Sequence, residues 1–219
     1  MRILCLADIH ARFEAVVPSN LPDPEGIDLV LIAGDITNLG TRHPLEVKRA
    51  AVWLAGMAAR YPQVRWVPGN HDIGITSDTF AAVAPNCRCL LHVEENIGGL
   101  RLYGESLAVC FDRPHYEKDW DYMSADPKRD LAAWESAPVA DIVLSHSPPL
   151  HVRDTTGPCR QPNGKKAPSY IGSPGLRAYI ERHEPRLVVC GHVHEAFGEE
   201  TFVTTRVYNV AQRHVIVDI

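Results

Sequence analysis

Leu187-Val188-Val189-Cys190-Gly191-His192-Val193-His194 joins a short apolar run to a pair of histidines. A run this short, rich in β-branched residues and closed at once by glycine, reads as a buried strand ending in a tight turn. The same arrangement recurs along the chain. Asp8-Ile9-His10 follows Ile3-Leu4-Cys5-Leu6, Gly34-Asp35 follows Leu29-Val30-Leu31-Ile32, Gly69-Asn70-His71-Asp72 follows Trp66-Val67, and His146 follows Ile142-Val143-Leu144. Strands of a parallel sheet bring their C-terminal ends to one edge, so loops carrying such side chains converge there. One His or Asp alone would mean little; the ordered set predicts a metal site.

Outward from these segments, hydrophobic periodicity predicts strands over residues 2–7, 28–33 and 63–67 and a helix from Pro44 to Tyr61. Ser77-Asp78 is expected to cap a short helix through Ala84, and Ser124 a helix to about Ser136. Strands are expected over 87–92, 95–97, 100–104, 141–145 and 187–190. A helix is expected from Ser173-Pro174 to just before Pro185. The tail alternates like antiparallel strands over 201–204, 206–210 and 214–219. Helix alternating with strand fits an α/β protein of two sheets covered by helices.

A chain of 219 residues, 45% hydrophobic and 22% charged, fits one domain over residues 1–219. No apolar run approaches the ~20 residues that span a bilayer. The first strand opens at Arg2, and Asp8 interrupts any signal-peptide core, so a cytoplasmic location is expected. The six cysteines are dispersed without a C-x-x-C pair and read as reduced thiols; Cys87-Arg88-Cys89 lacks the second pair a metal would need. A net charge of −5 argues against a broad basic surface for duplex DNA. It leaves room for a nucleic acid held locally. Pro148 to Ser173 lacks periodicity and starts right after His146. It carries Arg153, Arg160, Lys165 and Lys166 against Asp154 alone, the composition of either a phosphate-binding flap or a solvated connection.

The blocks D-x-H, G-D, G-N-H-D, a lone His and G-H-x-H, in that order from Asp8 to His194, resemble the signature of the calcineurin-like metallophosphoesterase superfamily. The resemblance implies a four-layer α/β/β/α sandwich of two mixed sheets. It implies a binuclear centre in which Asp8, His10 and His194 hold one ion and Asn70, His146 and His192 the other. Asp35 and a water or hydroxide would bridge them, the hydroxide being the nucleophile for in-line attack at phosphorus. Carboxylate, amide and imidazole without thiolate suit Mn, Fe, Zn or Ni, and two divalent ions, manganese foremost, are expected. Asp8, Asp35 and a hydroxide do not cancel two such ions, so the pocket attracts phosphate in an acidic protein. His71 would protonate the leaving oxygen, with Asp72 orienting it. No G-x-S-x-G elbow or P-loop competes with this reading. The tail departs from the pattern: Asn209-Val210-Ala211 stands where many relatives carry N-P-G.

Three further stretches are similar to small bacterial manganese-dependent DNA endonucleases encoded in DNA-repair gene clusters. They are Ser145-His146-Ser147-Pro148-Pro149, Ile171-Gly172-Ser173-Pro174-Gly175-Leu176-Arg177 and Cys190-Gly191-His192-Val193-His194-Glu195. This similarity implies hydrolysis of single-stranded DNA, with no membrane partner. The alternative is a small-molecule or cyclic-nucleotide phosphodiesterase. A non-catalytic metal-binding scaffold is the third reading, opposed by the filled ligand positions.

Overall fold

The structure is a computed structural model describing residues 1–110, 115–160, 166–167 and 169–219, with the backbone alone for Cys159, Arg160, Lys166 and Ala167. Lys165 lies outside the described residues. In chain order the elements begin β1 (Arg2–Leu6), β2 (Leu29–Ala33), α1 (Pro44–Arg60), β3 (Val64–Val67), β4 (Cys87–Cys89), β5 (Glu94–Ile97) and β6 (Leu100–Glu105). There follow β7 (Ala108–Val109), α2 (Tyr116–Asp119), β8 (Met123–Ser124), α3 (Pro127–Glu135), β9 (Ile142–Ser145), β10 (Cys159–Arg160) and β11 (Lys166–Ala167). The chain ends with α4 (Pro174–His183), β12 (Leu187–Cys190), β13 (Gly198–Phe202), β14 (Thr205–Asn209) and β15 (His214–Asp218).

Two mixed sheets carry the fold. The first runs β15-β1-β2-β3-β4 and the second β13-β14-β12-β9-β6-β5. Within the first, β1 through β4 are mutually parallel and β15 is antiparallel to β1. Within the second, β14, β12, β9 and β6 are parallel, with antiparallel β13 and β5 at the margins. Ile3, Cys5, Leu29, Leu31 and Ala33 of one sheet pack against Leu102, Ile142, Leu144, Leu187 and Val189 of the other. The alternate residues of the first sheet, Leu4, Leu6, Val30 and Ile32, face Trp53, Leu54 and Met57 of α1. Those of the second, Val143, Val188 and Val207, face Trp134 of α3 and Leu176, Tyr179 and Ile180 of α4. This is the expected α/β/β/α sandwich. The central strands read as unbroken apolar runs because both of their faces are buried. Among the described residues no helix is long and apolar enough to cross a membrane.

Several boundaries differ from expectation: the strand expected over 87–92 ends at Cys89, and the tail strand expected over 201–204 runs Gly198–Phe202. Residues 77–84 form successive turns rather than a helix: Ala81 N bonds Asp78 O and Val83 N bonds Phe80 O, each only three residues back. Phe80 is driven into the core against Trp66, ring centroids 5.4 Å apart, and that anchor sets the path of the segment. The α3 cap is Asp126, whose carboxylate accepts from Lys128 N at 2.9 Å, and Ser124 belongs to β8. Asp126 precedes Pro127, which takes the first helical position, so cap and proline act together.

The two outer helices of the second sheet meet at a buried polar joint. Ser173 caps α4 by accepting from Leu176 N at 2.8 Å. Its hydroxyl donates to Asp130 of α3 at 2.6 Å, and Asp130 also accepts from Gly175 N at 2.6 Å. Asp130 is wholly buried, and burial raises its pKa. Asp130→Ala should strand the Ser173 hydroxyl and the Gly175 amide and destabilise the fold by about 1–3 kcal/mol. The urea midpoint should fall with an unchanged denaturant slope; an unchanged midpoint would remove the joint from the stability of this layer.

Candidate metal centre

The C-terminal ends of β1, β2, β3, β9 and β12 lie at one edge of the sandwich, and each delivers a loop there. All seven expected ligands come together. His10 Nε2 is 3.2 Å from His194 Nε2 and 3.8 Å from an Asp8 carboxylate oxygen, which itself lies 3.3 Å from His194 Nε2. His146 Nε2 lies 3.0 Å from Asn70 Oδ1 and 3.6 Å from Asp35 Oδ2. His10 Nε2 reaches the same Asp35 oxygen at 3.6 Å, so Asp35 stands between the two groups. The His192 ring packs beside His146, centroids 5.0 Å apart. One candidate ion cluster is Asp8, His10 and His194; another is Asp8, Asp35 and His146.

Local geometry places these atoms. Asp8, His10, Asp35 and His192 all have left-handed backbones, with φ of 55°, 48°, 53° and 69°. Asp, Asn and His enter that region more readily than most residues. Backbone bonds hold the turns: Asp8 N to Gly34 O at 3.0 Å and His10 N to Asp35 O at 2.9 Å. Gly34 has φ 89° and supplies the turn expected of it. Gly69 and Gly191 serve a different purpose, close approach: a Cβ on them would run into Asp35 Oδ1 and Asp8 Oδ2 respectively.

The donor set fits divalent cations. Asp8 and Asp35 are 0% and 2% exposed. Burial, reinforced by Asp8 and Asp72, pushes Asp35 well above the usual carboxylate range. Burial pushes His10 and His192 down to about 3, so both imidazoles are neutral and able to donate lone pairs. His146 Nδ1 lies 2.8 Å from the Ala33 carbonyl, which can only accept, so its Nε2 turns a lone pair toward Asp35 and Asn70. Lone pairs converging in a buried site suit a cation placed between them.

The family profile of the calcineurin-like phosphoesterases matches residues 1–196. The chain belongs to this family. Metallophosphoesterase domain-containing protein 1 of Homo sapiens is 26% identical over 237 aligned residues, covering 96% of this chain and 65% of that protein. The chain thus spans about two thirds of that relative's length. A phosphopantetheinyl hydrolase structure from Mycobacterium tuberculosis superposes with a TM-score of 0.60 at 15% identity, covering 96% of this chain and 89% of that one. An archaeal phosphodiesterase structure superposes at 0.50 with 13% identity, covering 95% and 82%. These structural likenesses establish the calcineurin-like fold.

The structure corrects two expected roles and adds three residues. Asp72 does not orient the His71 ring. Its buried carboxylate accepts from Ile36 N, Thr37 N, Thr37 Oγ1 and Gly69 N at 2.7–3.1 Å, stapling the Asp35 turn to the Asn70 turn. His71 Nδ1 instead lies 3.0 Å from the Asn38 carbonyl, and Glu46 of α1 fixes that loop through Asn38 N and Leu39 N at 2.9 Å each. Arg153, expected in a phosphate-binding flap, instead donates from Nε and one Nη to the carbonyls of Ala196 and Phe197. Gln212 lies 2.9 Å from His194 Nδ1 and steadies that ring from the tail. Asn209, standing where relatives carry N-P-G, donates to Val193 O at 2.9 Å and Arg153 O at 3.0 Å, so the tail closes the site without the proline. Trp120 packs on His71, centroids 4.0 Å apart. Asn38 acts through its backbone, and Gln212 and Trp120 match no spacing rule, so sequence offered no signal for any of them.

Chelation should strip the metals and abolish phosphoester hydrolysis, and added Mn should restore it. Elemental analysis of Asp35→Ala should show loss at both positions, whereas Asp8→Ala should mainly weaken one. Full activity after dialysis against excess EDTA would contradict a two-metal centre.

Proposed function

We propose that this chain is a metal-dependent phosphodiesterase acting on diesters with small organic ester groups, cyclic nucleotides among them, with manganese as the resident ion. The observation that carries this reading is the placement of His71. A ring nitrogen lies within 4.8 Å of ligand atoms of His10 and Asp35, and the ring is fixed by the Asn38 carbonyl. When bound, the metals supply Lewis acidity and an activated water. Asp8 and Asp35 would supply carboxylate ligands, and His10, His146, His192 and His194 imidazole nitrogens. The Asn38 carbonyl accepts only, so His71 Nδ1 carries a proton and the other nitrogen is left for substrate. Donation from it requires the imidazolium. Burial lowers the His71 pKa, and an incoming phosphate anion offsets that burial. His71 then protonates the departing ester oxygen.

The single-strand DNA endonuclease reading stands second. It is favoured by the short strand pair β10–β11, whose antiparallel register sets Arg160 opposite Lys166. If a DNA strand lies along that pair, binding should weaken with salt at a log–log slope near −0.7 per phosphate neutralised. Replacing Arg160, Lys165 and Lys166 with Ala should flatten the slope. No change in slope would leave the small-ester reading alone.

His71→Ala should retain the metals and slow hydrolysis of alkyl diesters by roughly 10²–10⁴-fold. The defect should shrink on bis-p-nitrophenyl phosphate, whose leaving group needs little protonation. An equal loss on both substrates would mean that His71 binds phosphate without serving as the acid.

A further inference from the structure

A cavity of about 430 Å³ opens directly off the metal centre, with Asn70, His71 and His192 forming its inner wall. The remaining wall is mainly apolar and aromatic, with Tyr116, Trp120, Met123, Leu150, Tyr170 and Ile171, and Thr156 and Ser169 are its neutral polar members. No lysine, arginine, aspartate or glutamate lines it among the described residues. We infer that this cavity is the specificity pocket for a planar, uncharged aromatic ester group carried by the phosphate, with Trp120 and Tyr170 as its stacking surfaces. The inference rests on the phosphodiesterase reading and adds to it the chemical class of the ester group.

Three observations lead there. The first is position. His71 belongs both to the centre and to the cavity wall, so a group whose ester oxygen meets His71 extends into the cavity. The second is lining. Among the described residues the wall offers rings, apolar side chains and hydroxyls to an ester group. An apolar wall with rings favours a group with π-faces, as in sites of roughly 300–1,000 Å³ that hold small organic molecules. The third is support for the rings. Trp120 caps the C-terminus of α2, its backbone N–H donating to Tyr116 O at 3.0 Å, and its ring packs against His71. Tyr170 is 53% exposed at the mouth, with His151 edge-on at 4.5 Å. Each ring keeps one neighbour on the protein, and the Tyr170 surface at the mouth can receive another ring.

The test is a calorimetric titration of the metal-loaded protein with adenosine 5′-monophosphate, phenyl phosphate and ribose 5-phosphate. All three carry the same monoester phosphate, and only the first two carry an aromatic ring. The ring should tighten binding by about tenfold over ribose 5-phosphate, a stacking-sized effect. Adenosine monophosphate binding tighter than phenyl phosphate identifies a nucleobase as the ring; the reverse identifies an aryl group. Trp120→Ala should reduce the advantage to within about threefold, Trp120→Phe should keep most of it, and Tyr170→Ala, at an exposed position, should lower it without touching the core. Because Trp53, Trp66 and Trp134 are at most 4% exposed, quenching of tryptophan fluorescence by the nucleotide should report Trp120 and vanish in Trp120→Phe. Equal affinity for all three ligands, no binding of any of them, or a ring advantage that survives both Tyr170→Ala and Trp120→Ala would overturn the pocket. The phosphodiesterase reading fails separately. A loaded protein that binds the nucleotide through its ring yet leaves bis-p-nitrophenyl phosphate intact would keep the pocket and lose the activity.

Discussion

Two carboxylates, Asp8 and Asp35, are buried side by side between two sheets, and most of the edge around them is arranged to make that tolerable. Asp35 feels Asp8 and Asp72 as like charges in a desolvated site. Isolated buried charges cost many kcal/mol unless paired or bound to metal. Around these carboxylates the chain places imidazoles rather than lysine or arginine. A permanent cation there would occupy the place of the metal and lower the attraction for phosphate. Small residues complete the arrangement. Gly69 and Gly191 let the carboxylate oxygens approach backbone that any Cβ would push away.

The loops that hold those carboxylates are strained. Asp8, His10, Ala11, Asp35 and His192 all have positive φ. Such residues persist only where surrounding structure over-determines them, at a cost of order 1–3 kcal/mol each. Here the restraint is a backbone ladder that continues past the ends of β1 and β2. Asp8 N, His10 N and Ala11 N donate in turn to Gly34, Asp35 and Ile36 carbonyls at 2.9–3.0 Å. The parallel pairing of two strands thus runs on into the site as a pairing of two loops, and the spacing between Asp8 and Asp35 is inherited from the sheet.

The buried strands and the metal-binding side chains at their ends were legible from local rules, while the four-layer order and the grouping of ligands came from the resemblance to the family. Ile3 to Leu6 and Leu187 to Cys190 read as buried strands from composition alone, and each ends in residues whose chemistry differs abruptly from the run before it. The remainder depends on contacts that composition does not encode. Asp72 sits one residue from His71, and its four backbone and hydroxyl donors come from across the turn at Ile36, Thr37 and Gly69. Arg153 lies in a basic stretch, yet its charge is spent on two carbonyls more than forty residues away. Residues 77–84 have a helical start signal, and burial of Phe80 overrides it. Trp120 and Tyr170 come to one cavity from segments fifty residues apart, which no periodicity announces.

Asp8 and His194, held 3.3 Å apart, are separated by 186 positions in the chain. Contacts of such long sequence separation close late, because the connecting loops must first lose their entropy. The centre therefore has no partial version for a nascent chain to use. The first two loops can meet while the second sheet is still unmade, but His146, His192 and His194 arrive only with β9 and β12 in register. An ion captured there would seal a finished topology, and its rate of release would report how rarely the two halves of the sandwich part.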